Sequence, residues 1–280
     1  MLIDVHTHAM TSEHWGPEWE DHWKPVYGHG WTDVTPEAYD AAMSEGGVDL
    51  SFVFGITAHY AGMETPNDYI VDFVSQCRSN VVGFMAIDPT DPGAAVEQLR
   101  DGVDRGLRGI KCYPVLGLFD IRDEALDPFY RAATEAGVIL LWHMGATPSP
   151  IGKLELSNPL LVDEVARRHP GLVQIIAHLG HPWQRETMVV LRKNPRVFSD
   201  VSALWARPAD GYRALVRAQE WGVVDKLLFG SDYPLWTPRQ ATDGLHEIAD
   251  HHIEGMPRIG DDVLDHLLHA DPSARLGLSV

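Results

Sequence analysis

Gly137-Val138-Ile139-Leu140-Leu141-Trp142-His143 holds one structural unit in a single line of sequence. A glycine ends a helix, a β-branched and apolar run makes a buried strand, and a histidine closes it. Working outward, the same apolar pattern recurs at Leu2 to His6, Val48 to Gly55, Val81 to Ile87, Leu107 to Tyr113, Leu172 to His178, Arg196 to Val201 and Lys226 to Asp232. The runs are almost wholly apolar rather than alternating, which suits a parallel sheet buried on both faces. Between them lies enough chain for a crossover helix. Thr35-Pro36, Thr65-Pro66, Asp91-Pro92, Asn158-Pro159 and Thr237-Pro238 each offer a capping side chain followed by proline at a first helical position. Gly47, Gly106, Gly137, Gly171 and Gly222 then precede strands, where a left-handed residue lets the chain turn back.

Eight βα units predict an α/β fold of the (β/α)8 TIM-barrel type, because no glycine-rich phosphate loop follows the first strand as a doubly wound sheet would require. The expected organisation is a single domain over residues 1–280, with extra helices from Asp261 onward packed outside the barrel. Residues 9–34 read as a long structureless loop carrying Trp15, Trp19, Trp23 and Trp31, either a lid over a pocket or an aromatic patch packed on the barrel or on a second subunit. A homodimer is therefore one expected assembly.

Forty acidic against 22 basic residues give a net charge of -18, which argues against nucleic acid and anionic membranes as partners. The two cysteines, Cys77 and Cys112, form no CxxC pair, and no basic leader or long apolar span is present. The expectation is a cytoplasmic protein acting on a small-molecule substrate.

The polar residues at the ends of the apolar runs carry the chemistry. His6 and His8, spaced i, i+2 on the first strand, point to one side of it. His143 ends the fifth strand, His178 the sixth, and Asp232 follows the eighth. In a TIM barrel all five reach the catalytic rim. His169, His246, His251, His252, His266 and His269 fall in helical stretches and read as solvated surface.

Asp4-Val5-His6-Thr7-His8, Gly109-Ile110-Lys111, Trp142-His143, Ala177-His178-Leu179-Gly180 and Gly230-Ser231-Asp232-Tyr233-Pro234 together resemble the amidohydrolase superfamily. The likeness is to its amidohydrolase-related branch, which includes aminocarboxymuconate-semialdehyde decarboxylase and related metal-dependent hydrolases and decarboxylases. That resemblance implies His6, His8, His143 and Asp232 as metal ligands and His178 as a residue that polarises substrate or shuttles a proton. Three imidazoles and a carboxylate suit one divalent metal, zinc first and manganese or iron next. The implied reaction is hydrolysis, with metal-activated water attacking an amide, ester or lactone carbonyl, Asp232 taking a proton and His178 stabilising the oxyanion.

The runner-up is non-oxidative decarboxylation of an aromatic or unsaturated carboxylic acid, which uses the same ligands. Cations are scarce in the early loops, and Gly180-His181-Pro182 departs from the glycine run or Gly-Glu common in the decarboxylases. A non-catalytic ligand-binding barrel is the third reading, disfavoured by the cost of keeping five polar residues beside an apolar core. Lys111 and Tyr113 on the fourth strand and Trp183 after the sixth are candidate substrate-binding residues. Lys111 has a second reading as a carbamylated bridge between two metals.

Overall fold

In the computed structural model, which describes residues 1–278, eight parallel strands follow one another in sequence order. They are β1 (Ile3–His8), β2 (Leu50–Phe54), β3 (Val81–Ala86), β4 (Gly109–Cys112), β5 (Ile139–Trp142), β6 (Val173–Ile176), β7 (Val197–Asp200) and β8 (Leu227–Leu228). The barrel closes where Val5 N–H donates to the Phe229 carbonyl at 3.0 Å and His8 N–H to that of Tyr233 at 2.7 Å, so β8 keeps pairing with β1 past its short regular part. The fold is a TIM barrel.

Both faces of the strands are buried, which explains the continuous apolar runs. Ile3, Val5, Phe52, Phe84, Leu141, Ile175, Phe198 and Leu228 pack inside the barrel, while Val53, Ile110, Leu140, Trp142 and Val197 pack outward against the helices. Leu276, on the last helix (Ser273–Leu276), joins the inner cluster. The terminal helix therefore packs against the barrel interior rather than wholly outside it, because one apolar side chain there extends the inner core.

Thr35, Asp91 and Thr237 cap helices as expected, Thr237 with Gln240 in a reciprocal pair. Thr65 does not. Its hydroxyl is held by the Ile56 backbone, accepting from N–H and donating to the carbonyl at 3.1 Å each, and the next helix starts at Asn67. After Asn158 the helix starts one residue later than expected, at Leu160, whose N–H donates to the Asn158 side chain at 2.9 Å.

Residues 9–34 are not structureless. A 3₁₀ turn (Ser12–Trp15), a π turn (Trp19–Trp23) and an α turn (Lys24–Tyr27) bring Trp15, Trp19, Trp23, Tyr27 and Trp31 into one aromatic cluster. Ring centroids lie 4.9 Å apart for Trp15 and Trp19, 5.0 Å for Trp15 and Trp31, and 5.8 Å for Trp19 and Tyr27. The recurrence of these aromatics every fourth residue was the helical signal, and their mutual burial fixes the segment in place of a longer helix.

Candidate metal centre and cavity

A cavity of about 290 Å³ opens at the C-terminal ends of the strands, lined by His8, His143, His178 and Asp232 at its polar side and by Trp15, Trp23, Tyr27, Trp31 and Tyr113 at its aromatic side. His8 of β1 lines it and His6 lies buried beside it, both turned inward by an irregularity. Asp4 pairs with Ser51 and Thr7 with Val53, so three steps along β1 face two along β2. Ile3 and Val5 point into the barrel core. Simple alternation from them would send Thr7 inward and both histidines out toward the helices. The extra residue reverses the phase: Thr7 faces outward to Tyr39, hydroxyl to hydroxyl at 2.7 Å, and His6 and His8 turn to the centre.

His178 and Asp232 are re-aimed differently, each by a left-handed backbone at φ 55° and 62°. That conformation is costly for residues other than glycine and persists only where neighbours hold it. His178 N–H donates to Asp200 Oδ1 at 3.0 Å, and Asp232 N–H donates to the His6 carbonyl at 2.8 Å. Gly230 provides the needed closeness, since a Cβ there would lie 2.9 Å from the Cβ of His6.

The ligating atoms of His6, His178 and Asp232 all lie within 4.8 Å of one another. Asp232 Oδ1 is 3.4 Å from His6 Nε2 and 3.2 Å from His8 Nε2. His143 stands beside this group rather than in it: its ring is 5.1 Å from that of His178, its Nε2 is 3.4 Å from the Ala146 carbonyl, and it stacks on Tyr113 at 3.9 Å. Lys111 lies under the group instead of lining the cavity, with Nζ 3.4 Å from His6 Nε2 and 4.8 Å from the centre of the Phe54 ring. Trp183 does not line the cavity; His181, two residues earlier, does. Trp205 packs edge-on against Trp236. Of the histidines read as surface, His169 is instead largely buried against Asp127 at 2.9 Å, and His266 is half-buried with Nε2 3.2 Å from the Leu227 carbonyl.

Two residues organise the centre without having stood out in the sequence. Asp200, fully buried at the end of β7, faces His6 Nδ1 through Oδ2 at 2.9 Å. Its Oδ1 accepts from the Ser202 hydroxyl, whose oxygen is also 2.7 Å from His178 Nδ1. Burial alone would raise the Asp200 pKa, but His6, His178 and Ser202 outweigh it and hold the group well below the usual carboxylate range. An ionised carboxylate only accepts hydrogen bonds, which fixes both imidazole tautomers. His6 donates from Nδ1 and keeps a bare Nε2. The Ser202 proton goes to Asp200, so the Ser202 oxygen accepts from His178 Nδ1–H, and His178 also keeps a bare Nε2. Asp200 repeats at β7 the signal that singled out Asp232, a carboxylate at the end of an apolar run, and was legible on that ground; Ser202 was not.

This donor set fits a cation. The bare Nε2 of His6 confronts the carboxylate of Asp232, acceptor against acceptor, and buried His8 Nδ1 has no partner among the described residues. Lone pairs converge there with the positive Lys111 beside them.

Burial lowers the pKa of His6, His8, His143 and His178, the last to about 4, and lowers Lys111 to about 8. Burial raises Asp4 to about 7. A histidine kept neutral in the fold takes a proton on unfolding below pH 6.5, so the metal-free protein should lose stability as pH falls from 6.5 towards 4, with Asp4 opposing the trend. His178→Gln removes one contribution, about 3 kcal/mol at pH 4. Urea unfolding at pH 4.5 and 7 should show a smaller acid-induced loss in the variant than in the parent; equal losses would contradict a neutral, part-buried His178.

Similar solved structures cover nearly the whole chain at low identity. A probable 2-pyrone-4,6-dicarboxylic acid hydrolase from Acinetobacter baumannii, with citric acid bound, aligns at a TM-score of 0.72 and 15% identity over 99% of both chains. The 2,6-dihydroxybenzoate decarboxylase from Rhizobium aligns at 0.72 and 16%, also over 99% of both. A 5-carboxyvanillate decarboxylase from Novosphingobium aromaticivorans, complexed with manganese and 4-hydroxy-3-methoxy-5-nitrobenzoic acid, aligns at 0.69 and 14% over 99% of this chain and 96% of that one. At these identities the likeness is one of fold. No curated protein matches the chain. The amidohydrolase family model matches residues 3–270, from the first strand through the eighth and on past the helix at Asp261–His269, and the chain belongs to that family.

Proposed function

We propose that the protein is a metal-dependent hydrolase that opens an amide, ester or lactone bond of a small molecule. His6, His8 and Asp232 would hold one divalent ion, with His143 on the neighbouring wall completing the expected donor set. Zinc suits these nitrogen and oxygen donors best, with manganese next, as in the 5-carboxyvanillate decarboxylase complex. The bound ion supplies Lewis acidity, which polarises a carbonyl and lowers the pKa of water.

The observation that carries hydrolysis is the Asp200–Ser202–His178 chain, which leaves His178 Nε2 without a proton. Hydrolysis needs a proton acceptor: Nε2 takes a proton from the attacking water and returns it to the departing nitrogen or oxygen. Decarboxylation needs the opposite, a donor to the carbon that loses carbon dioxide, and neither His6 nor His178 turns a protonated nitrogen to the centre in this arrangement. Asp232 is the poorer base of the two. Burial raises its pKa, but His178, His8 and His6 overcome that and hold it well below the carboxylate range.

The test is turnover by zinc- and manganese-loaded protein on lactones, aryl esters, amides and aromatic carboxylic acids, with acid production and carbon dioxide followed in parallel. Acid release from a carbonyl substrate is expected. Carbon dioxide release without it would replace hydrolysis by decarboxylation, and a protein that takes up less than about a tenth of an equivalent of either metal would remove the metal reading.

A further inference from the structure

We propose that Asp4 is a positioning residue, whose carboxylate holds the extra residue of β1 that turns His6 and His8 toward Asp232 at the barrel centre. Oδ1 of Asp4 accepts from two backbone N–H groups, His6 at 3.1 Å and Ser231 at 2.9 Å. The first bond spans two residues of β1, within the stretch where the β1–β2 register slips between Asp4 and Thr7. At a bulge the ladder cannot satisfy every N–H, and a side chain that accepts the freed one makes the irregularity stable. The second bond reaches the residue immediately before Asp232, so one buried oxygen ties the segment bearing His6 and His8 to the segment bearing Asp232.

Without this acceptor two buried N–H groups lose their partner, and a regular β1 with Thr7 inward and both histidines outward becomes the competing arrangement. Asp4 touches neither the proposed ion nor substrate. Its influence runs entirely through the direction of the histidines, and the metal part of this inference rests on the hydrolase reading above.

Asp4→Asn keeps an Oδ1 acceptor at the same place, whereas Asp4→Ala removes it. Both full-length variants are compared with the parent by hydrogen exchange of the 4–8 and 229–233 segments in metal-free protein and by zinc affinity in competition with a chelator. Asp4→Ala should speed exchange in both segments and weaken zinc binding by about 10- to 100-fold, the range seen when support for metal ligands is lost. Asp4→Asn should stay within about threefold of the parent in both measurements. An Asp4→Asn variant that exchanges or binds zinc like Asp4→Ala overturns the proposal, and so does an Asp4→Ala variant indistinguishable from the parent. Should Asp4→Ala not fold, the Asn variant still decides. If the parent itself binds no zinc, the metal reading fails, while the exchange comparison still tests Asp4.

Discussion

Replacing Asp232 by Asn is expected to empty the proposed metal centre while leaving the barrel folded. Asp232 Oδ1 lies 3.4 Å from His6 Nε2 and 3.2 Å from His8 Nε2, and the His6 nitrogen carries a lone pair because its Nδ1–H is committed to Asp200. Asparagine removes the negative charge and can present an amide N–H to those lone pairs, satisfying with a neutral hydrogen bond the acceptors that a cation would otherwise join. Metal content should fall from about one equivalent to under a tenth, and turnover by at least about a thousandfold. The left-handed backbone at residue 232 suits asparagine as well as aspartate, so the unfolding midpoint should hold or rise. Elemental analysis alongside urea unfolding checks both halves. A variant that keeps its metal and its rate would remove Asp232 from the centre.

The second large effect is expected at His178. Substitution by Ala should lower kcat by about 10²- to 10⁴-fold, the usual contribution of a positioned acid or base, and leave metal content unchanged. Ser202→Ala should lie between that variant and the parent, because it leaves the imidazole in place and frees its tautomer. The informative contrast is in the metal analysis. If His178→Ala loses the ion together with the rate, His178 is a ligand, as its place within 4.8 Å of His6 and Asp232 also permits, and the proton acceptor must be sought elsewhere.

How much of this could be read from the chain depends on how local each signal is. The repeat of helix end, apolar run and polar residue reports burial on both faces of a parallel strand, so the barrel and its order of strands were legible. His143 falls on the inward phase of its strand, and counting alternate residues places it correctly. His6 and His8 satisfied a similar count while requiring an irregularity to face the right way. The alternation rule gives two histidines on a common side but not which side, because Ile3 and Val5 claim the inner one.

The aromatic segment shows the reverse. Its four-residue recurrence was present in the sequence, but the surrounding glycines, prolines and acidic residues hid a set of short turns whose stability comes from the tryptophans packing on each other. Lys111 was legible as a strand-end cation. That it sits below His6 rather than in the cavity follows from the depth of β4 in the barrel, which spacing does not encode.

The sequence by itself thus determined the barrel and the strand ends that carry the polar residues, because these follow from periodicity and residue type along one chain, and its strand-end motifs carried the resemblance to the amidohydrolases. Only the tertiary structure decided the slip in β1 that aims the histidines, the left-handed turns at His178 and Asp232, and the Asp200–Ser202 link that sets the imidazole tautomers. Each depends on hydrogen bonds between residues of different strands, and a bond that closes across the barrel leaves no period in the sequence of either partner.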